Sequence, residues 1–261
     1  MKKILLLMSV LMLPMFLTAQ DDEIDNLPFE NEPLRDNARS YFVLAGGVTY
    51  DFLMINEDNL NSFLNNSDEL KLSGPIQLTG GQGVLGVPWI KNLRLGVFGY
   101  GGSLESGISQ TPAIIRRDGE PDREILTSFQ TSLTASMFGF SVHYGFVPFE
   151  HFAILGGVNA GWGDVTYESH FATNEPHDSF SSAGTGNNKL EKNYFFAMPN
   201  IQLEYAITSF IILRADASYN LTVGQDKNWK YNTLGTNSVN PDFNLDGMKV
   251  GFGVMVGLAN F

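Results

Sequence analysis

Short runs in which apolar and polar residues alternate recur along most of this chain. They predict strands near 40–50, 75–87, 93–104, 127–146, 152–167, 193–206, 210–223 and 247–260. Successive side chains of a strand point to opposite faces, so a period of two marks one face in an apolar medium and one that is not. In the seventh run Ile211, Leu213, Ala215, Ala217, Tyr219, Leu221 and Val223 share one face, against Ile212, Arg214, Asp216, Ser218, Asn220 and Thr222. The sixth sets Phe195, Ala197, Ile201, Leu203 and Tyr205 against Asn200, Gln202 and Glu204. The last sets Met248, Val250, Phe252, Val254, Val256 and Leu258 against Lys249 and several glycines. The fourth run is overlong and is expected to project beyond the others. One helical pattern interrupts the alternation: Leu60, Phe63 and Leu64 fall at i, i+3 and i+4 within Asn56–Glu69, which predicts a short amphipathic helix covering an opening or docking a partner.

Alternation alone does not distinguish a membrane barrel from a soluble sandwich or a lipocalin-like barrel, whose apolar face points inward. The connections do. Those at 88–92, 147–151 and 207–209 are short, whereas 51–74, 105–126, 168–192 and 224–246 are long and rich in Asn, Asp, Gly and Ser. Transmembrane barrels sort their connections this way, with short periplasmic turns and long loops outside. Strands of about 9–11 residues cross a bilayer when tilted, and a closed barrel satisfies the backbone groups that an open edge would leave bare in lipid.

The start of the chain carries a different pattern. Lys2 and Lys3 precede an apolar run from Ile4 to Leu17, and Leu17-Thr18-Ala19 supplies small residues before Gln20. This predicts a signal peptide over 1–19, cleaved near Ala19/Gln20, since the run is too short to span a membrane as a helix. Residues 20–39 hold seven acidic residues against Arg35 and Arg39, the composition of a disordered acidic tail. The barrel domain is expected over 40–261. There is no cysteine, so neither disulfides nor an N-terminal lipid attachment stabilises the exported chain. The formal charge of −12 argues against nucleic acid as a partner, because phosphate contacts require Lys and Arg.

On strand number, loop sorting and the terminal Phe261, residues 40–261 resemble the small eight-stranded outer-membrane barrel proteins, the class of OmpX and the OmpA membrane domain. The resemblance implies an all-β, closed antiparallel up-and-down transmembrane β-barrel in a bacterial outer membrane. Its partners would be outer-membrane lipid and an extracellular or periplasmic protein. Phe261 departs from the pattern: it is out of phase with Val250, Val254 and Leu258, which requires either a late bulge or the absence of the usual terminal signature. Tyr41, Phe42, Tyr50, Trp89, Tyr144, Phe146, Phe149, Phe152 and Trp162 are placed as interfacial girdles, or as ordinary strand formers.

Candidate chemistry is sparse. Asp242, Asn244 and Asp246 before Gly247 match the first half of a calcium loop, but Gly253 stands where the bidentate glutamate belongs. These residues are a weak Ca²⁺ candidate. Gln202, Glu204, Arg214 and Asp216 are expected on the luminal side of one hairpin, with Glu204 opposite Arg214 and Gln202 opposite Asp216. Arg94, His143 and Lys249 share that interior. Such a set is either a catalytic or conducting constellation or, as expected where only side chains fill the interior, a structural charge network. Glu168, Ser169, His170, His177 and Asp178 cluster in sequence near the third long loop, but adjacent strand residues face opposite ways, so no hydrolytic triad follows. The leading expectation is a non-enzymatic barrel whose loops make surface contacts or which structures the envelope. An envelope-lipid-modifying enzyme and a soluble barrel binding an apolar ligand stand as alternatives. A wide porin is disfavoured by eight strands.

Overall fold

The computed structural model describes residues 41–64, 68–115, 123–173, 188–226, 229–231, 235–236 and 245–261. The expected signal peptide and acidic tail lie outside these residues, as do Asp242, Asn244, His177 and Asp178. Eight long strands pair antiparallel into a closed ring: β1 (Phe42–Ile55), β2 (Ile76–Gly86), β3 (Leu93–Glu105), β5 (Arg123–Phe149), β6 (Phe152–Thr173), β7 (Asn188–Thr208), β8 (Ile211–Gln225) and β11 (Gly247–Asn260). Closure is made by β1, which pairs with β2 on one side and with β11 on the other, so the ring has no free edge. The chain is therefore an all-β, up-and-down antiparallel barrel.

The alternation read from the sequence sets the two faces. Down β1 the outward positions are Phe42, Leu44, Gly46, Val48, Tyr50, Phe52 and Met54, while Val43, Thr49, Asp51 and Leu53 are buried inside. Val48 is 69% exposed, and Val254, Leu213, Ile201, Ile154, Phe140 and Val97 continue an exposed apolar belt around the barrel. An inward-only apolar face, which a lipocalin-like barrel requires, is not what this chain has.

Several strands run further than expected. β1 continues through Asp51 to Ile55, and β6 and β7 extend to Thr173 and from Asn188, into stretches expected to be loop. The expected connection 105–126 contains β4 (Ser109–Ile115), which pairs with the start of β5. Polar composition misleads here because a hairpin outside an apolar medium needs only backbone pairing, and its outward face is free to be polar. Short strands β9 (Lys230–Tyr231) and β10 (Gly235–Thr236) add to the same end. There α1 (Glu57–Leu64) carries Leu60 into the top of the interior, and Asn61 ties the helix down through both hydrogen-bonding atoms of its side-chain amide to Leu72.

The opposite end holds the short turns and both ends of the described barrel. Asn92 adopts a left-handed conformation (φ 65°), and its side chain accepts from the Tyr41 amide at 2.8 Å. The turn between β7 and β8 is two residues long, Ser209 and Phe210, preceded by an irregularity between Ala206 and Thr208. β11 pairs with β1 in unbroken register as far as Asn260, so no late bulge occurs. Phe261 instead turns inward and packs on Tyr41, ring centroids 5.1 Å apart. Tyr41, expected in an interfacial girdle, is likewise a luminal residue.

The belt generates a test based on depth. An arginine at an outward belt position is expected to cost about 2–4 kcal/mol near a bilayer midplane and about 0–1 near its surface. Val254→Arg should therefore strongly impair folding into liposomes, whereas Thr166→Arg, outward on β6 above the belt, should fold as the parent does. Equal effects in the same folding assay would show that the belt does not face lipid.

Candidate functional site

The interior is stratified. At the loop end Leu53, Leu60, Leu72, Ile76, Phe98, Tyr100, Met137, Phe196 and Trp229 form one apolar cluster. At the turn end Tyr41, Val43, Val84, Leu155, Ile212, Met255 and Phe261 form a second. Between them, contributed by all eight ring strands, lies a layer of buried polar and charged side chains. The residue types at alternate positions dictate this layering: reading β7 upward, the inward residues run Ala206, Glu204, Gln202, Asn200, Met198 and Phe196.

Glu204 is the hub of the layer. Its side chain is fully buried, and Oε1 accepts from Arg94 Nη1 at 2.6 Å and from Arg214 Nε and Nη2 at 3.0 and 2.7 Å. Oε2 accepts from the Tyr41 hydroxyl at 2.7 Å, and that hydroxyl accepts from Arg94 Nη1, also at 2.7 Å. Arg94 also donates to Gln202, and Arg214 to Gln82. The hairpin register places Glu204 opposite Arg214 and Gln202 opposite Asp216. Asp216 nevertheless belongs to a second cluster: Lys249 Nζ donates to Asp216 Oδ2 at 2.7 Å and to Asp51, and lies 5.1 Å from the centre of the Tyr100 ring. Gly251 makes room for Asp51, since a Cβ there would lie 1.9 Å from Asp51 Oδ1. His143 pairs with the Asn200 side-chain oxygen at 2.9 Å and belongs to neither cluster.

Chemically, the hub holds two guanidiniums and one carboxylate, and the second cluster holds one ammonium and two carboxylates. Each carries an opposite unit of excess charge, and the two together balance. Gln202, Glu204, Arg214, Asp216, Arg94 and Lys249 were legible in the sequence as luminal residues, whereas Asp51, Gln82 and Tyr41 were missed. Asp51 and Gln82 both carry a legible signal: Gln82 shares the inward parity of Ile76 and Leu78 on β2, and Asp51 shares that of Val43 and Thr49 once β1 is extended past Tyr50.

The remaining candidates separate. Among the described residues no group of three or more His, Asp or Glu side chains is placed to hold a metal ion. Asp246 accepts from the Thr222 amide at 2.6 Å and so ties β8 to the start of β11. His170 lies 3.2 Å from Glu168 on the outward face of β6, while Ser169 points the other way. His151 occupies the turn between β5 and β6 with φ 67°.

No protein-family model and no curated protein matches the chain. Solved structures do. Ail, the attachment invasion locus protein of Yersinia pestis, solved alone and in complex with the heparin analogue sucrose octasulfate, is 10% identical over 85% of this chain and 99% of its own, with TM-scores of 0.32 and 0.34. The outer membrane protease OmpT of Escherichia coli is 8% identical over 88% of this chain and 99% of its own, with a TM-score of 0.32.

The hub predicts unequal losses. Glu204→Gln leaves two buried guanidiniums without a counter-charge and should cost on the order of 3–5 kcal/mol in urea unfolding. Arg214→Met leaves Glu204 still paired with Arg94 and should cost less. The double variant should recover part of the summed loss in a double-mutant cycle. Strict additivity would show that the two side chains do not interact.

Proposed function

We propose that this chain is a non-enzymatic outer-membrane barrel protein, exported through a signal peptide cleaved near Ala19/Gln20. Its partner along the wall is outer-membrane lipid, and β4, β5, β6 and β7 carry its loops outside the cell for surface contact or envelope structure. One observation carries this reading: the outward positions form an exposed apolar belt around the ring, suited to lipid, while a charged layer between two apolar clusters fills the lumen. An ion crossing the lumen would have to pass both clusters and displace arginines already bound to Glu204. Eight strands enclose just enough space for side chains, in keeping with a wall and anchor rather than a channel. The same packing speaks against luminal catalysis, because Glu204 and Asp51 are fully buried.

Fractionation tests the address and planar-bilayer recording tests the plug. The full chain should sediment with the outer membrane and migrate differently on gels before and after boiling. It should also insert without discrete conductance steps. Recovery as a soluble periplasmic protein would overturn the membrane reading, and porin-like steps would overturn the sealed lumen.

A further inference from the structure

Outside the lumen, the described barrel carries a recess of about 570 Å³ on its outer wall, where β5, β6, β7 and the end of β8 meet. Two rungs of paired residues build it. In the lower rung Phe138 pairs with Trp162 and Trp162 with Phe195. In the rung directly above, Ser136 pairs with Asp164 and Asp164 with Asn193. The next outward position above each of the three aromatic residues is thus polar, Ser136, Asp164 and Asn193. The recess straddles the upper edge of the belt.

Its chemistry is specific. Phe138 and Trp162 stack at 5.5 Å between centroids, and Phe195 meets Trp162 at 5.7 Å with the rings steeply inclined. Although packed on one another, the three remain 58%, 42% and 51% exposed. Asp226, at the end of β8, also lines the recess. Hydrogen bonds hold both carboxylates in place: Asp164 accepts from Ser136, and Asp226 Oδ2 accepts from the Asn193 side chain at 3.2 Å. Among the described residues neither carboxylate has a cationic side chain within ion-pair distance. Aromatic faces and carboxylates together attract an ammonium group, with Trp the strongest of the ring types, and two carboxylates repel a phosphate.

We propose that this recess binds the ammonium headgroup of an amphiphile lying in the outer leaflet, with its chain running down the apolar belt below Phe138 and Phe195. The position of the aromatic rung at the belt edge selects an amphiphile over a free cation, and the two carboxylates select a cationic headgroup over an anionic one. The proposal rests on the outward face lying in a bilayer. Its test in micelles does not depend on where the protein resides in a cell.

The test uses the full chain folded in neutral maltoside micelles and titrated calorimetrically with dodecyltrimethylammonium, dodecyl phosphate and tetramethylammonium. Saturable binding of dodecyltrimethylammonium is expected, at least tenfold tighter than of either other probe. It should be accompanied by a change in tryptophan fluorescence that Trp162→Phe abolishes. Asp164→Asn with Asp226→Asn should weaken binding at least tenfold, and Glu168→Gln, above the recess, should leave it unchanged. If the double variant lacks the heat-shifted band of the folded barrel, Asp226→Asn alone serves, since Asp226 lies just past the end of β8 and the substitution leaves its backbone hydrogen bond to Asn193 in place. Equal or tighter binding of dodecyl phosphate would overturn the proposal, as would unchanged binding in a folded carboxylate variant. Tetramethylammonium binding as tightly as the amphiphile would overturn its leaflet placement.

Discussion

A charge inside this barrel has nowhere to be solvated except by another side chain. Glu204 meets that constraint by accepting from Arg94, Arg214 and Tyr41 together, with no exposure of its side chain. Leaving a buried charge uncompensated costs several kcal/mol, a large fraction of the stability of a typical domain. The pairing therefore constrains everything attached to it. It fixes the register of the β7–β8 hairpin, brings the chain in at Tyr41 under the barrel, and holds β3 across the lumen through Arg94. The Lys249 cluster offsets the hub's excess charge from the other side, drawing β1, β8 and β11 into the same balance.

Around that layer the apolar residues divide into two populations with opposite parity. Val48, Phe140, Ile201 and Val254 face out, while Leu53, Leu78, Phe196 and Met255 face in. Burial of the second population in the absence of water adds to stability in proportion to its apolar area and closes the lumen at both ends. Burial of the first is left to the surrounding medium. This division makes the barrel a filled wall, with the surface chemistry concentrated at its outer face and its extended loop end.

The ring was legible wherever the two parities differed in polarity, as in β8, whose Arg214, Asp216 and Ser218 alternate with Leu213, Ala215 and Ala217. It was less legible where both faces are apolar, as at Phe195, Phe196, Ala197 and Met198, where inward plug and outward belt run together. The extent of β1 was hidden because Asp51, a polar residue after an apolar run, looks like the start of a loop until Lys249 is known to face it. Tyr41 was misplaced for a related reason, whereas the parity of Phe261, opposite to that of Val250, Val254 and Leu258, was legible. An aromatic residue at a strand end suits an interface as well as a lumen, and only the unbroken β1–β11 register decides between them. The recess on the outer wall was invisible in sequence, since Phe138, Trp162 and Phe195 become neighbours only through pairing across three strands.

The outward face is expected to lie in lipid to the depth of the apolar belt and no further. The chain has no cysteine, so single cysteines can be placed without background. A fluorophore carried in turn at Ile154, Val158, Ala160, Thr166 and Glu168, all outward on β6, can be quenched by lipids bearing a nitroxide along the acyl chain. Quenching is expected to peak near Val158 and Ala160 and to fall away at Thr166 and Glu168. A flat profile along the strand, or quenching at Glu168 as strong as at Val158, would contradict this placement.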